Sequence, residues 1–405
     1  MRDVVIVSAV RTPFGKFDGV MKNTSSIELG VMALEEVIKR INLSPKEVDE
    51  IYYGTCIPAE YAIYTNVPAR QISLLAGFPP DTISLTIDRA CCSSMTALRL
   101  CVQSIQAGHA EIAIASGAES MGNTALFAAA SRVRWGNRLG PIELEDVLFE
   151  LGYSRTGFAP VARDAGEVAL EYGISRAMQD EWALTSHNRW QEAYRGGRFK
   201  IGEEIMPVEI PQKKGEPILL EKDETPRPDT SLEKLAALKP IYGSPTVTAG
   251  NAPGLNSGAA AIVLMSREKA VKKGLTPLAT VKAVACGAGE PRYMACIPAK
   301  TIQKTLGMIG LCIDDMDLVE INEAFAAVTL VSMKMLADGE ESKWRRLKKK
   351  TNVNGGAIAI GHPVGASGAR ITMTLMYELR RRGGGLGVAA ICGGLSQGEA
   401  VILEV

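Results

Sequence analysis

The stretch Thr86-Ile-Asp-Arg-Ala-Cys-Cys-Ser-Ser-Met95 joins the end of a short strand to a turn with two cysteines and to the start of a helix. The pattern predicts that the strand ends near Ile87 and that the helix begins after Cys91. Free N–H groups and the macrodipole at a helix N-terminus favour a thiolate and can hold an oxyanion. Cys91 is therefore a candidate nucleophile that accepts an acyl group. The alternative is that Cys91 and Cys92 are small buried residues in a tight turn.

Short β-branched runs alternate with amphipathic stretches in the first third of the chain. The order is a strand at 4–7, a helix at 26–40, a strand at 50–53, a helix at 93–107 and a strand at 112–115. This βαβα order is typical of a parallel or mixed sheet covered by helices. The sequence therefore predicts an α/β fold, and Gly108 is the expected end of the helix that begins near Ser93.

Two segments of the second half repeat patterns of the first half. Residues 311–321 match residues 43–53 as a turn, an aspartate and a strand, and residues 388–393 match residues 112–117 as a strand that enters a glycine turn. The matches favour two related α/β halves, although two short matches can also arise by chance.

The halves are separated by a segment with a different pattern. Residues 121–247 contain polar helices and turn-rich connectors, including an independently capped helix that begins near Ser175. We expect this segment to be an inserted subdomain. The N-terminal half is then residues 1–120, completed by about 248–275, and the C-terminal half is residues 276–405.

Composition excludes several classes of protein. The 405 residues are 46% hydrophobic, and 45 Lys and Arg balance 45 Asp and Glu, so no overall field attracts nucleic acid. The longest apolar stretches, such as 259–265, are far shorter than the roughly 18 to 20 residues that cross a bilayer. The first residues lead directly into a predicted strand, which leaves no room for a targeting peptide. We expect a cytoplasmic protein that binds neither nucleic acid nor membrane.

The chain is poor in residues that bind metals or form disulfides. It has eight cysteines without a Cys-x-x-Cys spacing, and its histidines are His109, His187 and His362. A disulfide framework and a structural zinc site are therefore not expected. The scarcity of histidine also leaves few candidates for a general base.

Three further residues lie at predicted strand ends. His362 follows an apolar run, precedes a proline and is expected to point out of the sheet edge. Cys392 lies between a strand and Gly393-Gly394, where backbone N–H groups can approach a ligand. Asn322 also ends a strand and can hold water. Each has a structural alternative: a structural histidine, a buried thiol and a helix cap.

Together these segments resemble the thiolase family over essentially the whole chain. The matching motifs, in family order, are Val4 to Pro13, Pro68 to Gln71, Ser116 to Met121, Pro226 to Thr230, Thr246 to Asn251, Asn322 to Phe325, Asn352 to Arg370 and Cys392 to Gly394. The resemblance implies two βαβαβαββ halves in a five-layered α/β/α/β/α core, with an inserted loop domain that covers coenzyme A. It also implies a homodimer or homotetramer, with coenzyme A as a substrate and no cofactor or metal.

The resemblance also implies a role for each matching residue. Cys91 corresponds to the nucleophile that is acylated, and His362 to the base that activates it. Cys392 corresponds to the second cysteine, which transfers a proton at the α-carbon of an acyl-CoA. Asn322 corresponds to the residue that positions a water in the first oxyanion hole. The backbone N–H groups of Cys91 and Gly394 correspond to the second hole.

Substrate-binding residues follow from the same resemblance. Arg227 corresponds to an arginine along the adenine of coenzyme A, and Ala252 and Pro253 belong to a segment that lines the substrate site. The sequence departs from the family pattern at Asp88, at Cys92 to Ser94, at Pro253 and at 159–164. The departures leave the substrate open, because the catalytic set is retained while the acyl-side motifs are altered.

Arg163 lies in the altered element and could pair bidentately with a substrate carboxylate. A bulky or charged 3-oxoacyl-CoA such as 2-benzoylsuccinyl-CoA is then expected. Alternatives are that Arg163 faces solvent or pairs with Asp164 or Glu167, and that the substrate is acetoacetyl-CoA or a medium-chain 3-ketoacyl-CoA.

Two other functions stay open at this point. A ketosynthase of the same superfamily is less favoured, because Cys392 and the segment 251–254 match a thiolase. A non-catalytic carrier or partner subunit would normally have lost Cys91, His362 or Cys392. The basic run 343–350 is either a solvated loop or a docking site, and some thiolases work with a small zinc-ribbon or OB-fold partner subunit.

Overall fold

The computed structural model describes residues 2–57, 66–128 and 130–405. Its strands are β1 (Val4–Arg11), β2 (Gly15–Lys16), β3 (Glu50–Gly54), β4 (Ile83–Ile87), β5 (Ile112–Ser120), β6 (Leu126–Phe127), β7 (Glu145–Asp146), β8 (Val208–Ile210), β9 (Ile218–Leu220), β10 (Asn256–Ser266), β11 (Ala279–Ala288), β12 (Leu318–Ile321), β13 (Leu386–Gly393) and β14 (Gln397–Glu404).

Helices surround and separate these strands. They are α1 (Ser26–Lys39), α2 (Pro68–Leu75), α3 (Ser93–Ala107), α4 (Ala130–Val133), α5 (Val161–Glu171), α6 (Arg176–Arg195), α7 (Leu232–Ala236), α8 (Arg267–Lys272), α9 (Ile297–Gly307), α10 (Ala326–Leu336), α11 (Glu341–Lys350), α12 (Ala357–Ile360) and α13 (Ser367–Arg381). Short 3-10 turns lie at Pro45–Glu47, Met121–Asn123, Phe149–Thr156, Pro291–Cys296, Ile313–Asp315 and Val364–Ala366.

Local signals explain where several elements begin and end. Ser25 and Glu28 form a capping box at the start of α1. Ser175 caps α6, as its sequence predicts, by accepting a hydrogen bond from the backbone N–H of Met178. Gly108 ends α3 with a left-handed φ of 79°, a conformation that glycine adopts without a Cβ clash. The predicted βαβα order is confirmed.

The main sheet has the order β12-β13-β14-β11-β1-β10-β5-β3-β4, with the short β2 paired to β10. In the N-terminal half β4, β3 and β5 are parallel, whereas β5, β10 and β1 are antiparallel. In the C-terminal half β12 and β13 are parallel, whereas β13, β14 and β11 are antiparallel. The two halves therefore share one pairing scheme, and they meet where β1 pairs with β11.

A bulge occurs at the same place in each half. The register between β1 and β10 shifts between Ile6 and Ser8, and the register between β11 and β14 shifts between Val281 and Ala283. Each bulge lies near the start of the first strand of its half. The shared position strengthens the relation between the halves that the sequence matches suggested.

The C-terminal half differs from the N-terminal half in its third strand. Where β4 pairs with β3, the C-terminal half has one isolated bridge between Val319 and Thr351. The side chain of Asn352 continues this pairing, because its amide exchanges two hydrogen bonds with the backbone of Ile321 at 2.9 and 2.8 Å. The chain then turns into the short α12.

The elements form five layers, as the thiolase resemblance implied. Helices α1 and α2 cover the outer face of the N-terminal strands, and α9 and α10 cover the outer face of the C-terminal strands. Helices α3 and α13 lie between the two sets of strands and pack against each other. This central pair positions the candidate site, because Cys91 and His362 lie just before the two helices.

A long segment connects β5 to β10. It contains α4 to α7 and two small hairpins, β6–β7 and β8–β9. None of the helices that the structure describes is long and apolar enough to span a membrane.

Candidate active site

A strained turn presents Cys91 at the end of β4. Ala90 has a left-handed φ of 49°, which is unfavourable for a residue with a Cβ. The turn is held by Asp88, whose carboxylate accepts a hydrogen bond from the N–H of Ala90 at 3.0 Å. Ser93 closes the turn by accepting from the N–H of Arg89 and donating to the carbonyl of Ala90. Asp88, a departure from the family pattern, thus has a structural role.

Cys91 and His362 form a close pair. The distance between Cys91 Sγ and His362 Nε2 is 3.1 Å. Ser367 Oγ donates to the carbonyl of Pro363 at 2.8 Å and lies 2.6 Å from His362 Nδ1. Because the hydroxyl has one proton and donates it to Pro363, Nδ1 is the protonated nitrogen of the ring. Nε2 therefore has a free lone pair toward the thiol, as a general base requires.

Burial keeps both members of this pair neutral. It raises the pKa of the Cys91 thiol well above the usual range, with further contributions from Cys392 and the carboxylates of Glu119 and Asp88. Burial, assisted by the charge of Arg370, lowers the pKa of His362 to about 3. Desolvation thus outweighs the helix N-terminus at Cys91, and the thiol needs the neighbouring base to become a thiolate. His362 is buried as well, with 7% of its surface exposed.

Asn322 lies beside this pair at the end of β12. Its Nδ2 is 3.5 Å from His362 Nε2, and its Oδ1 accepts a hydrogen bond from Arg370 Nη2 at 3.3 Å. The helix that follows begins at Ala326 and has Phe325 as its N-cap. Asn322 is therefore not the helix cap that the sequence offered as an alternative.

Cys392 is fully buried at the end of β13, close enough to Cys91 to raise the pKa of its thiol. Burial raises the pKa of Cys392 itself to about 12. Leu395 and Ser396 adopt left-handed φ values of 57° and 59° and turn the chain tightly into β14. The structure therefore brings Cys91, His362, Cys392 and Asn322 together, and the short turn carries Gly394.

Tyr153 is a residue of the site that sequence reasoning missed. It lies in the segment between β5 and β10, and a Cβ built on Gly394 would be 1.8 Å from its hydroxyl oxygen. Burial raises the pKa of Tyr153, and the acidic groups of Cys91, Cys56, Asp88 and Cys392 add to this rise. The phenol thus covers the backbone of Gly394 beside the reactive thiol. No sequence pattern pointed to Tyr153, because its loop position has no local signature.

The space next to Cys91 is mostly apolar. A buried cluster beside Cys91 contains Ile57, Met121, Leu148 and Val364, with Cys56, Phe127, Val147 and Leu255 packed against it. A cavity of about 670 Å³ adjoins it, and Tyr153, Phe149, Gly394, Asp88, Arg89 and Asp146 are among the residues that line it. Of the two arginines in this lining, Arg89 binds Gln397 and the buried Glu399, and Arg155 pairs with Glu145. The site can therefore hold an apolar group next to the thiol.

A buried carboxylate fixes the loops around the site. Glu119, at the end of β5, accepts hydrogen bonds from the hydroxyl of Thr55 and from the N–H groups of Cys56, Ile57 and Gly365 at 2.9 to 3.2 Å. These donors come from the loop after β3 and from the segment between His362 and α13. Glu119 therefore ties the two halves together beneath Cys91.

The other predicted site residues have surroundings of their own. Arg227 is exposed, and its backbone N–H donates to His187 Nδ1 at 3.3 Å. Ala252 is buried in the core, and Pro253 is half-buried. The side chain of Arg163 is 54% exposed and pairs with Glu167 across one turn of α5 at 2.9 Å. Arg163 thus adopts the surface ion pair that the sequence left as an alternative.

The altered residues after Cys91 pack into the core. Cys92 Sγ lies 3.6 Å from the carbonyl oxygen of Ile391, and Ser94 Oγ accepts from the N–H of Ala369 at 3.0 Å. Both residues are fully buried. Neither side chain belongs to the apolar cluster beside Cys91, so their divergence carries no information on the acyl group.

The basic run 343–350 forms most of helix α11. Trp344 is buried under the ammonium groups of Lys334 and Lys348, and Lys350 donates to two backbone carbonyls. Arg345 and Arg346 are exposed. Within residues 2–57, 66–128 and 130–405, no group of three or more His, Cys, Asp or Glu could hold a metal ion.

A thiol paired with a neutral imidazole between two α/β halves defines an enzyme of covalent acyl transfer. Family models described as "Thiolase, N-terminal domain" and "Thiolase, C-terminal domain" match residues 4–268 and 275–405. The chain therefore belongs to the thiolase family, and it is an acyltransferase.

Individual relatives agree with this assignment. The chain is 41% identical to an acetyl-CoA acetyltransferase of Cupriavidus necator, with all of both chains covered. It is 40% identical to one of Escherichia coli, covering 100% of this chain and 99% of the relative. Among solved structures, acetyl-CoA acetyltransferase of Bacillus anthracis has a TM-score of 0.92 at 40% identity, covering 100% of this chain and 99% of the other. Human mitochondrial 3-ketoacyl-CoA thiolase in complex with CoA has a TM-score of 0.90 at 38% identity, covering 100% and 98%.

Proposed function

We propose that the protein cleaves 3-oxoacyl-CoA thioesters with coenzyme A, and forms them by Claisen condensation in reverse, through an acyl group on Cys91. The 3.1 Å contact between Cys91 Sγ and His362 Nε2 carries this proposal. His362 takes the thiol proton as the sulfur attacks the 3-oxo carbon. The bond between C2 and C3 then breaks, and the acyl group stays on the sulfur.

The remaining proton transfers follow from the neighbouring groups. Cys392 donates its proton to the α-carbon of the departing acyl-CoA, and the high pKa keeps this buried thiol protonated until that step. Asn322 and His362 Nε2 lie beside the first oxyanion, with a water between Asn322 and the oxygen. The N–H groups of Cys91 and Gly394 bind the oxyanion of the acyl-enzyme. Coenzyme A then gives its thiol proton to Cys392 and takes the acyl group from Cys91, and His362 returns its proton to the departing sulfur of Cys91.

Coenzyme A is the proposed second substrate, and one structural neighbour was solved with CoA. Arg227 is the proposed contact to the adenine, with Ala252 and Pro253 on the segment that lines the substrate. The neutral His187 supports this assignment, because it accepts the N–H of Arg227 and fixes the loop that carries it. No cofactor is part of the proposed reaction.

The proposed acyl group is bulky and apolar. Cys91 packs against a cluster that includes eight other apolar or cysteine side chains, and the adjoining cavity of about 670 Å³ exceeds the needs of an acetyl group. A carboxylated acyl group such as that of 2-benzoylsuccinyl-CoA has less support. Arg163 is paired at the surface, and the two arginines at the cavity, Arg89 and Arg155, pair with Glu399 and Glu145.

The test compares thiolysis of acetoacetyl-CoA, a medium-chain 3-oxoacyl-CoA and 2-benzoylsuccinyl-CoA by the wild type and by Arg163→Ala. We expect the medium-chain substrate to have the highest kcat/KM and Arg163→Ala to change none of the three rates. Fast turnover of acetoacetyl-CoA alone would contradict the bulky substrate. A loss in Arg163→Ala that is confined to 2-benzoylsuccinyl-CoA would instead support a substrate carboxylate.

A homodimer or homotetramer is proposed for the assembly. The edge strand β4 supports it, because Ile83 and Leu85 are exposed on an unpaired edge of the sheet. A small zinc-ribbon or OB-fold partner subunit stays a prediction, for which co-purification is the test.

A further inference from the structure

Arg370 is a buried cation next to the candidate site that the proposed reaction leaves without a role. It lies on α13, and its side chain is 0% exposed. A guanidinium is a donor-only group, and burying it is costly unless its charge and its N–H groups find partners. Among the residues that the structure describes, its Nε and Nη1 have no hydrogen-bond partner. Its one hydrogen bond in that part of the chain joins Nη2 to Asn322 Oδ1 at 3.3 Å.

The acidic neighbour of Arg370 and its hydrogen-bond partner are different residues. Glu320, on β12, lies 3.7 Å from Arg370 Nη1 and is also buried. Arg11, Glu204 and Glu323 are the other charged groups that act on Arg370. Arg11 and Glu204 already bind each other at 2.6 Å. Glu320 is therefore the nearest acidic group, although burial raises its pKa to about 8, whereas Asn322 is the partner for hydrogen bonding.

The contact with Arg370 decides which way the Asn322 amide points. An arginine beside the amide requires the carbonyl oxygen, because the reversed amide would set N–H donors against N–H donors. The N–H₂ group then faces His362 Nε2, which is 3.5 Å away. A cation on the amide oxygen also polarises the amide and makes its N–H groups stronger donors.

We propose that Arg370 is the positioning residue for Asn322, holding the amide N–H₂ group toward the oxyanion that forms beside His362 during carbon–carbon bond cleavage and formation. The inference rests on the proposed thiolase reaction. Acylation of Cys91 by a simple acyl-CoA uses the N–H groups of Cys91 and Gly394 and does not need Asn322. Arg370 should therefore affect the carbon–carbon bond step and not the acylation step.

The experiment measures the two steps separately in wild type, Arg370→Met, Asn322→Ala and the double variant. Acylation is followed as the burst of free CoA from an acyl-CoA, and the bond step as thiolysis of a medium-chain 3-oxoacyl-CoA. We expect Arg370→Met to slow thiolysis about 10- to 100-fold, less than the ~100- to 1000-fold loss of an oxyanion-hole donor, and to leave acylation within about threefold. The double variant should be no slower than Asn322→Ala, because both substitutions act on the same contact between the Asn322 amide and the oxyanion.

Two controls separate positioning from folding. Arg370→Met/Glu320→Gln avoids an unpaired buried carboxylate and should show the same selective loss. Arg40→Gln removes another largely buried guanidinium, just after the end of α1, and should slow neither step. Arg370→Lys should recover part of the thiolysis rate, because it keeps the cation.

Several results would overturn the inference. Equal losses in both steps, additive losses in the double variant, or failure of every Arg370 variant to fold would assign Arg370 to stability alone. Wild-type enzyme that acylates Cys91 but cleaves none of the 3-oxoacyl-CoA substrates would instead contradict the proposed function. The two failures are thus distinguished by the behaviour of the wild type.

Discussion

The two halves of the sheet place a reactive residue at the same point but end in different ways. Helix α3 follows Cys91 and helix α13 follows His362, and the two helices meet where Ala369 donates to Ser94. Each half thus contributes one member of the thiol–imidazole pair. The last two strands of the C-terminal half are joined by the tight turn after Gly393, whereas β5 and β10 are separated by residues 121–255. The duplicated framework supplies the nucleophile and base, and the unequal connections supply what surrounds them.

The largest expected effect is at Cys91, the nucleophile of the thiol–imidazole pair to which both halves contribute. Cys91→Ala should lower thiolysis by about four orders of magnitude or more, because the acyl-enzyme cannot form. Mass spectrometry of the wild type after mixing with an acyl-CoA should find the adduct on Cys91. Cys92→Ala is the matched control and should stay active, since Cys92 faces the carbonyl of Ile391 in the core. An adduct on Cys92 with none on Cys91 would reverse the assignment.

The next effect concerns Cys392, which lies just before the short connection between β13 and β14. Cys392→Ala should still be acylated on Cys91, because thioester exchange needs only the nucleophile, the base and the oxyanion donors. Thiolysis and condensation should fall by roughly 100- to 10000-fold, the usual loss for a general acid or base. The burst of free CoA and the steady-state rate of thiolysis measure the two steps. Full thiolysis in Cys392→Ala would mean that another residue transfers the proton.

The sequence predicted the features that depend on local signals. Strand and helix order, the Gly108 end of α3 and the Ser175 cap follow from periodicity and caps, which a short segment specifies by itself. Cys91, His362 and Cys392 were found because each follows an apolar run at a strand or helix end. Their meeting within one site came from the family resemblance and not from spacing.

Features that depend on tertiary placement escaped prediction. The direction of Cys92 and the surface ion pair of Arg163 are decided by packing against distant residues. Tyr153 reaches Gly394 from a loop more than 200 residues away in sequence. The raised pKa of Cys91 follows from burial, which the helix N-terminus alone does not reveal. All of these features depend on which distant residues surround a side chain after folding.

A smaller effect is expected where Tyr153, in the long connection between β5 and β10, lies against Gly394, in the short connection between β13 and β14. Gly394→Ala places a Cβ where the Tyr153 hydroxyl now lies and should displace the phenol from the site. We expect kcat/KM for a medium-chain substrate to fall about 10- to 100-fold, in line with a shift of about 1 Å near the reacting groups. Tyr153→Ala should restore part of the rate in the Gly394→Ala background, because it removes the clash. The absence of any rescue would mean that Gly394 is needed for its own backbone conformation.

The smallest effect concerns the pH dependence of the unfolding free energy. It depends on the buried His187, which lies in the long connection between β5 and β10. Burial, with a contribution from Arg227, lowers the pKa of His187 to about 4, whereas an unfolded histidine titrates near 6.5. Below pH 6.5 the unfolded chain binds a proton that the folded chain refuses, so stability is present above pH 6.5 and is lost as the pH falls toward 4. His187→Gln should therefore reduce the loss of unfolding free energy between pH 7 and pH 4.5 by about 2 to 3 kcal/mol. Denaturant unfolding at the two pH values measures it, with the exposed His109→Gln as the control. An unchanged difference in a folded His187→Gln protein would show that His187 is protonated in the folded state, and its acceptance of the Arg227 N–H would then have to be abandoned.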